Sequence, residues 1–202
     1  MRLSVEQRRA ALARAALTVI ARDGLAAATT RAIVAEAGMA LASFHYAYES
    51  RVELLRDVIR LVLEGERDAI GALLELPEAD FATLIRGGLG AYVGNLREAP
   101  GREQGMLELT FLALREPALD GMATEQYAHY RALVTGLLLA AAERCGMRWL
   151  QPVEQLARFV VTCTDGLTVA WLVDRDDAAI EPQLDLIAAA LLTQAQPIGE
   201  HP

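Results

Sequence analysis

One stretch constrains this chain more than any other: Thr29 to Leu55, reading TTRAIVAEAGMALASFHYAYESRVELL. Thr29 and Thr30 place hydroxyls where a helix start needs acceptors for its free amides, and Ile33 and Ala37 then fall one turn apart on a single face. Gly38 follows, a residue free to take the left-handed conformation that ends a helix. Met39 and Ala40 make a turn, and Leu41 to Tyr46 form a second short helix with Phe44 inward. Two helices joined by a tight glycine-containing turn form a helix-turn-helix, whose second helix enters the DNA major groove. Ser50-Arg51-Val52-Glu53 then reads as a capping box, which opens a long helix.

The run Ala37-Gly38-Met39, Ser43-Phe44-His45-Tyr46, Tyr48 and Ser50-Arg51-x-Glu53-Leu54-Leu55 resembles the amino-terminal DNA-binding domain of the TetR family. That family's pattern is roughly A-G-V-S-x-G-x-L-Y-x-Y-F-x-S-K-x-x-L. Close likeness covers about fifty residues, and the rest of the chain matches in length and helical layout. The resemblance implies a dimeric, ligand-responsive transcriptional regulator.

An all-α fold follows from the remainder. Of 202 residues, 53% are hydrophobic and only seven are proline, and apolar residues recur at helical spacing almost throughout. The net charge of −8 argues against a nucleic-acid binder until its distribution is read. Residues 1–50 hold six arginines against four acids, whereas residues 51–202 hold thirteen against twenty-three. A mildly basic head on an acidic body keeps nucleic acid at one end. We therefore expect two domains, a DNA-binding head over 1–50 and an effector-binding, dimerising body over 51–202. Cys145 and Cys163 have no metal spacing and imply no disulfide framework, as suits a cytoplasmic protein. Arg14 and Arg22 interrupt any signal-peptide core, and the longest uncharged apolar run, Ala132 to Ala142, is too short to span a bilayer.

Ahead of the motif, Ser4 to Asp23 reads as a helix with Leu12, Ala16, Val19 and Ile20 inward, capped by Ser4 and ended by Gly24. It should pack beneath the motif in a core that includes Ile20, Ile33 and Phe44. Its arginine face is mainly solvated, with Arg2, Arg8 or Arg9 placed to reach a phosphate. Beyond Arg51 the pattern predicts helices over about 51–74, 80–96, 102–115, 119–144, 152–174 and 181–195, with a break at Pro77 and a frayed tail from Gln196. Glycines 87, 88 and 90 inside the 80–96 helix imply close packing or a bend. The helix over 152–174 is apolar on two sides, and the last carries one clean stripe. That pair suits a two-fold dimer bundle, with Val161, Thr168, Leu172, Leu184, Ile187 and Leu191 at its seam.

By resemblance, Leu41, Ala42, Ser43, His45 and Tyr46 face the groove and its phosphates. Leu41 and Ala42 offer only apolar contact, while Ser43 and His45 can hydrogen-bond, and no Arg, Asn or Gln supplies a bidentate base contact there. Specificity then leans on other contacts and on DNA shape. Arg51 puts a cation in a helix's first turn, against the macrodipole, which makes sense where a phosphate binds. Thr29, Thr30 and Arg31 sit at another helix start and can grip a second phosphate. Ala47 and Ala40 stand where the family has an aromatic and a serine. For each of these residues an ordinary surface role is the plainer alternative.

In the body, Tyr92, Met106, Phe111, Tyr127, Tyr130, Cys163 and Trp171 are candidates to line a mostly apolar pocket for a small hydrophobic or aromatic effector; singly, each also reads as plain core. Asp165, an acid inside an apolar helix, is expected to be paired or to face the pocket or the dimer seam. His45, His129 and His201 lie far apart, and no nucleophile motif, metal cluster or phosphate loop is present, so neither enzyme chemistry nor a cofactor is expected. The expected function is a repressor released from a palindromic operator by its effector. The rival is a ligand-binding or scaffolding dimer of the same fold that no longer grips DNA.

Overall fold

The structure is a computed structural model that describes residues 3–74 and 79–199, with side chains between 66 and 74 left aside. Helix α1 (Val5–Asp23) starts from a reciprocal capping box between Ser4 and Gln7 and ends at Gly24, whose φ of 84° suits glycine. A 3-10 turn, Leu25–Ala27, leads to α2 (Thr30–Glu36), capped by the Thr29 hydroxyl. Gly38, at φ 63°, makes the turn into α3 (Leu41–Ala47). Helix α4 (Arg51–Leu74) follows, and the predicted break at Pro77 lies outside the described residues.

Helix α5 (Phe81–Glu98) is capped by Asp80, whose carboxylate accepts from the Thr83 amide at 2.7 Å. Helix α6 (Pro100–Ala113) begins earlier than the sequence suggested. Proline is well suited to a first helical position because its missing amide would be unsatisfied there anyway. Helix α7 (Met122–Arg144) follows a 3-10 turn at Pro117–Leu119. Helix α8 (Val153–Asp174) runs as expected, and α9 (Asp177–Leu192) starts four residues early because Asp176 caps it. The tail is not frayed at Gln196. Ala195–Pro197 (β2) pairs antiparallel with Met147–Trp149 (β1), an ornament on the all-α architecture that three-residue strands are too short to announce.

The chain forms two compact units, Met1–Gly65 with Glu98–Tyr127, and Glu66–Arg97 with Ala128–Pro202. In the first, Leu12, Ala16, Val19 and Ile20 of α1 meet Ile33, Phe44, Leu54, Leu55 and Val58, and Met106 and Leu109 of α6 complete the core. Helix α6 approaches the end of α1 closely enough that glycine is required. A Cβ on Gly101 would overlap the Ala21 carbonyl oxygen and sit 2.9 Å from its carbon, and one on Gly105 would overlap the Ile20 methyl. In α5, by contrast, Gly88 has nothing within 4 Å and Gly90 only the Arg86 side chain, so tight packing is not what those glycines serve.

In the second unit, α5, α7, α8 and α9 share a core that includes Leu89, Val93, Leu138, Val160, Leu184 and Leu191. Arg86 reaches Glu181 and Asp185 at 2.7 and 2.6 Å, and Arg97 reaches Asp177 and Glu181 at 2.7 and 2.9 Å, stapling α5 to α9. Helix α8 has the length and mean hydropathy of a bilayer-crossing segment, although no uncharged run announced it, and a third of its most apolar window is buried within the chain.

Candidate nucleic-acid interface

Helix α3 buries Phe44 and Ala47 and turns Leu41, Ala42, His45 and Tyr46 outward; Tyr46 is 65% exposed and Ser43 half-buried. These are the residues that the pattern assigned to the groove, and one short helix displays them together. Ala47, where the family has an aromatic, is buried and has no side chain to present. Thr29 is committed to capping α2, with its hydroxyl accepting from the Ala32 amide at 3.2 Å. Thr30 is half-buried in the first turn, and Arg31 is exposed beside it.

Two arginines of α1 hold this face. Arg8 donates to the Ser43 hydroxyl at 2.9 Å, and its guanidinium lies 5.4 Å from the centre of the Tyr46 ring. Arg9 points the other way. It pairs with Glu53 and with Asp57 at 2.9 Å, donates to the Ala47 carbonyl, and stacks 4.4 Å over Tyr48. Tyr48 is 2% exposed, and its hydroxyl lies 2.9 Å from Asp57 and 3.0 Å from the Arg9 carbonyl. Burial, and then the hydrogen bond to Asp57, push its phenol well above the usual tyrosine range, so it stays protonated. The hydrogen bond from Arg9, followed by that from the Glu49 amide, holds the Glu53 carboxyl below its ordinary value. Motif reading marked Tyr48 as a match but not as a lock; an aromatic at that place in the pattern was the available signal.

The capping box at Ser50 is half made. The Ser50 hydroxyl accepts from the Glu53 amide at 3.2 Å, but the Glu53 carboxylate turns to the Glu49 amide and to Arg9. Arg51 has a local partner that the sequence did not reveal. It is half-buried and donates to the Leu25 carbonyl at 2.9 Å, so a phosphate is not needed to explain a cation at this helix start. Its Nε is buried without a partner. The other side of Leu25 is held too, since its amide donates to Glu108 of α6 at 2.8 Å. The turn that enters the motif is thus gripped from α6 and from α4 at one residue.

The proposed dimer seam needs correction. Val161, Thr168, Leu184, Ile187 and Leu191 lie buried in the chain's own core and Leu172 is half-buried, so these side chains stabilise the monomer rather than face a partner. Thr168 bonds Tyr92 at 2.5 Å. The exposed apolar set on α8 is Phe159, Val169 and Val173, the last 81% exposed, and with Gln155, Thr162 and Gly166 it forms a stripe at alternating four- and three-residue steps. Leu186 is exposed on α9 at 65%, beside exposed Ala189, Ala190 and Thr193. That spacing is legible in the sequence, but the larger aliphatic stripe drew the assignment. Asp165 is half-buried next to the α8 stripe.

The pocket candidates divide between the two units. Met106 is buried in the first core, and Tyr127 belongs to that unit. Phe111, expected to line a pocket, is 59% exposed on α6. Tyr92, Tyr130, Cys163 and Trp171 belong to the second unit. There the Trp171 indole donates to Asp177 at 2.9 Å, Arg175 stacks on its ring, and burial raises the Cys163 thiol. An open cleft of about 680 Å³ between α7 and α8 is lined by Arg131, Thr135, Glu154 and Arg158 among others, and by none of the seven candidates. Among the described residues no three His, Cys, Asp or Glu side chains gather to hold a metal.

Comparison with known proteins agrees with this geometry. The family model described as bacterial regulatory proteins, tetR family, matches residues 12–58. The HTH-type nicotine-responsive transcriptional repressor HdnoR of Paenarthrobacter nicotinovorans is 25% identical over 203 aligned residues, covering 95% of this chain and 97% of that protein. The multidrug binding protein EbrR, solved with imidazole, is 26% identical with a TM-score of 0.66, over 96% of this chain and 92% of that one. A TetR transcription regulator from Haloarcula marismortui shares the fold at a TM-score of 0.74 and 18% identity, over 95% and 100% of the two chains.

Proposed function

We propose that the chain is a transcriptional regulator of the TetR family, a homodimeric cytoplasmic repressor of a palindromic operator that is released by a small, mostly apolar effector. The observation that carries this reading is the α3 face, where Leu41, Ala42, Ser43, His45 and Tyr46 are displayed together on a helix braced from behind by α1. Residues 1–50 act as the head and 51–202 as the body. Two heads related by the dimer axis read half-sites in successive major grooves, about one helical turn or more apart.

The α8 stripe with Leu186 of α9 supports self-association, because a neutral apolar row along a helix is a solubility liability unless a second copy covers it. The relatives support the effector class. One repressor is named for its response to nicotine, and EbrR is seen with imidazole, proflavin and ethidium, all nitrogen-containing rings. Release requires the effector to favour one head spacing over the other, a coupling of roughly 1–3 kcal/mol in typical allosteric proteins. Two routes reach the motif from the body: α4, which begins with Arg51, and α6, which holds Leu25 through Glu108.

The test is selection of bound duplexes from random DNA, followed by titration of the best binder with salt and then with flat nitrogen heteroaromatics. A palindromic motif with a steep salt slope, weakened by one of these compounds, is the expected result. Uniform binding without a motif, in the presence or absence of the compounds, overturns the reading.

A further inference from the structure

Ser43 is the most ambiguous of the groove-facing residues. A serine hydroxyl carries one donor and two acceptor sites, and so pairs with almost any base edge. Here it is not left free. Arg8, four residues into α1, donates from Nη1 to Oγ at 2.9 Å, occupying one acceptor site. A guanidinium has no acceptor, so the hydroxyl proton cannot be returned to Arg8. It does not go to the backbone either. Thr18, Thr110, Thr162 and Thr164 each donate to a carbonyl three or four residues earlier, whereas Ser43 makes no such bond among the described residues. Among the described residues the Ser43 proton therefore has no partner. Arg8 is fixed in turn by the Tyr46 ring, 5.4 Å from its guanidinium carbon.

We propose that Arg8 is a positioning residue that sets base preference through Ser43, taking one of its two acceptor sites and biasing the hydroxyl toward donating into the groove. This rests on the DNA-binding reading above. A hydroxyl used as a donor pairs with N7 or O6 of guanine, N7 of adenine or O4 of thymine, and gains nothing from the amino group that cytosine presents. The adjacent cation reinforces the choice, since it repels a second incoming donor. One position in each half-site therefore prefers G, A or T on the contacted strand and disfavours C, although α3 carries no Arg, Asn or Gln of its own.

The test is random-duplex selection with the wild type, Arg8→Met, Arg8→Lys and Ser43→Ala, each first checked for unchanged helical content and thermal midpoint. Expected is one motif position at which the wild type disfavours C by roughly tenfold, about the cost of one lost specific contact. Arg8→Met and Ser43→Ala relax that same position while the rest of the motif stands. Arg8→Lys, a point charge without the fork, relaxes it partly. If Arg8→Met instead weakens every sequence equally and leaves the base preferences intact, Arg8 acts on the backbone or only on the fold, and this proposal fails while the regulator reading survives. Should Arg8→Met prove unstable, Ser43→Ala decides alone, because an unchanged motif in that variant overturns the proposal. A wild type that selects no motif overturns both readings.

Discussion

Changing one glycine to alanine should have opposite effects at two places in this chain. Alanine in a helix interior is favoured over glycine by up to about 1 kcal/mol. Gly94 is exposed on α5 with nothing within 4 Å of a built Cβ, so Gly94→Ala should collect that gain. Gly101 and Gly105 lie where α6 meets the last turn of α1. At Gly101 the obstacle is backbone, the Ala21 carbonyl, which has no rotamer by which to withdraw. At Gly105 it is a methyl of Ile20, a β-branched side chain that is 1% exposed and stiff in a helix. Overpacking of this kind costs about 1–3 kcal/mol, which exceeds the propensity gain.

For a chain of this size each kcal/mol moves the midpoint by roughly 2–4 °C. Gly94→Ala should therefore raise Tm by up to about 4 °C, and Gly101→Ala should lower it by a similar amount. Thermal unfolding followed at the helical circular-dichroism band measures both. If Gly101→Ala proves as stabilising as Gly94→Ala, the close approach of α6 to α1 does not exist in solution, and the route through Glu108 to Leu25 falls with it.

Three further outcomes follow from the same packing. Tyr48→Phe removes a buried hydroxyl from Asp57 and the Arg9 carbonyl and should cost about 1–2 kcal/mol in urea unfolding, whereas Tyr46→Phe, on the exposed face, should change stability little. Val169→Glu should convert the proposed dimer to a folded monomer in sedimentation, while Leu184→Glu, in the chain's own core, should prevent folding; a Val169→Glu dimer would relocate the interface. Acid should weaken the first unit through Glu53. Its folded carboxyl lies below its ordinary 4.5, so its contribution is complete above that value and is lost as pH falls through the lower, folded one. Glu53→Gln should flatten this acid limb of a stability-versus-pH curve, and an unchanged limb would show that the Arg9 pair contributes nothing measurable.

What the sequence made legible and what it hid divide along a physical line. Periodicity, caps and breakers are local, and they located Ser4, Gly24, Thr29 and Gly38 as helix punctuation, with Ile20, Ile33 and Phe44 as core. Choices between partners are not local. Arg51 read as a cation awaiting phosphate because it stands in a helix's first turn, against the macrodipole, yet the Leu25 carbonyl, twenty-six residues earlier, supplies a partner. The fold uses Gly101, with Gly105, to seat α6 on α1, a requirement that exists only once the two backbones meet. The dimer seam failed for a related reason. Leu184, Ile187 and Leu191 form the stronger stripe on α9, and a helix in a monomer turns its stronger stripe to its own core. The weaker row, Phe159, Val169 and Val173 with Leu186, is left exposed, and its proposed role as the interface rests on that exposure. The exposed set on α3 was legible by resemblance as a set of positions, but the contacts that hold it were not. Ser43 has a fixed partner only in the fold, where Arg8, from a helix that sequence alone treated as mainly solvated, donates to its hydroxyl.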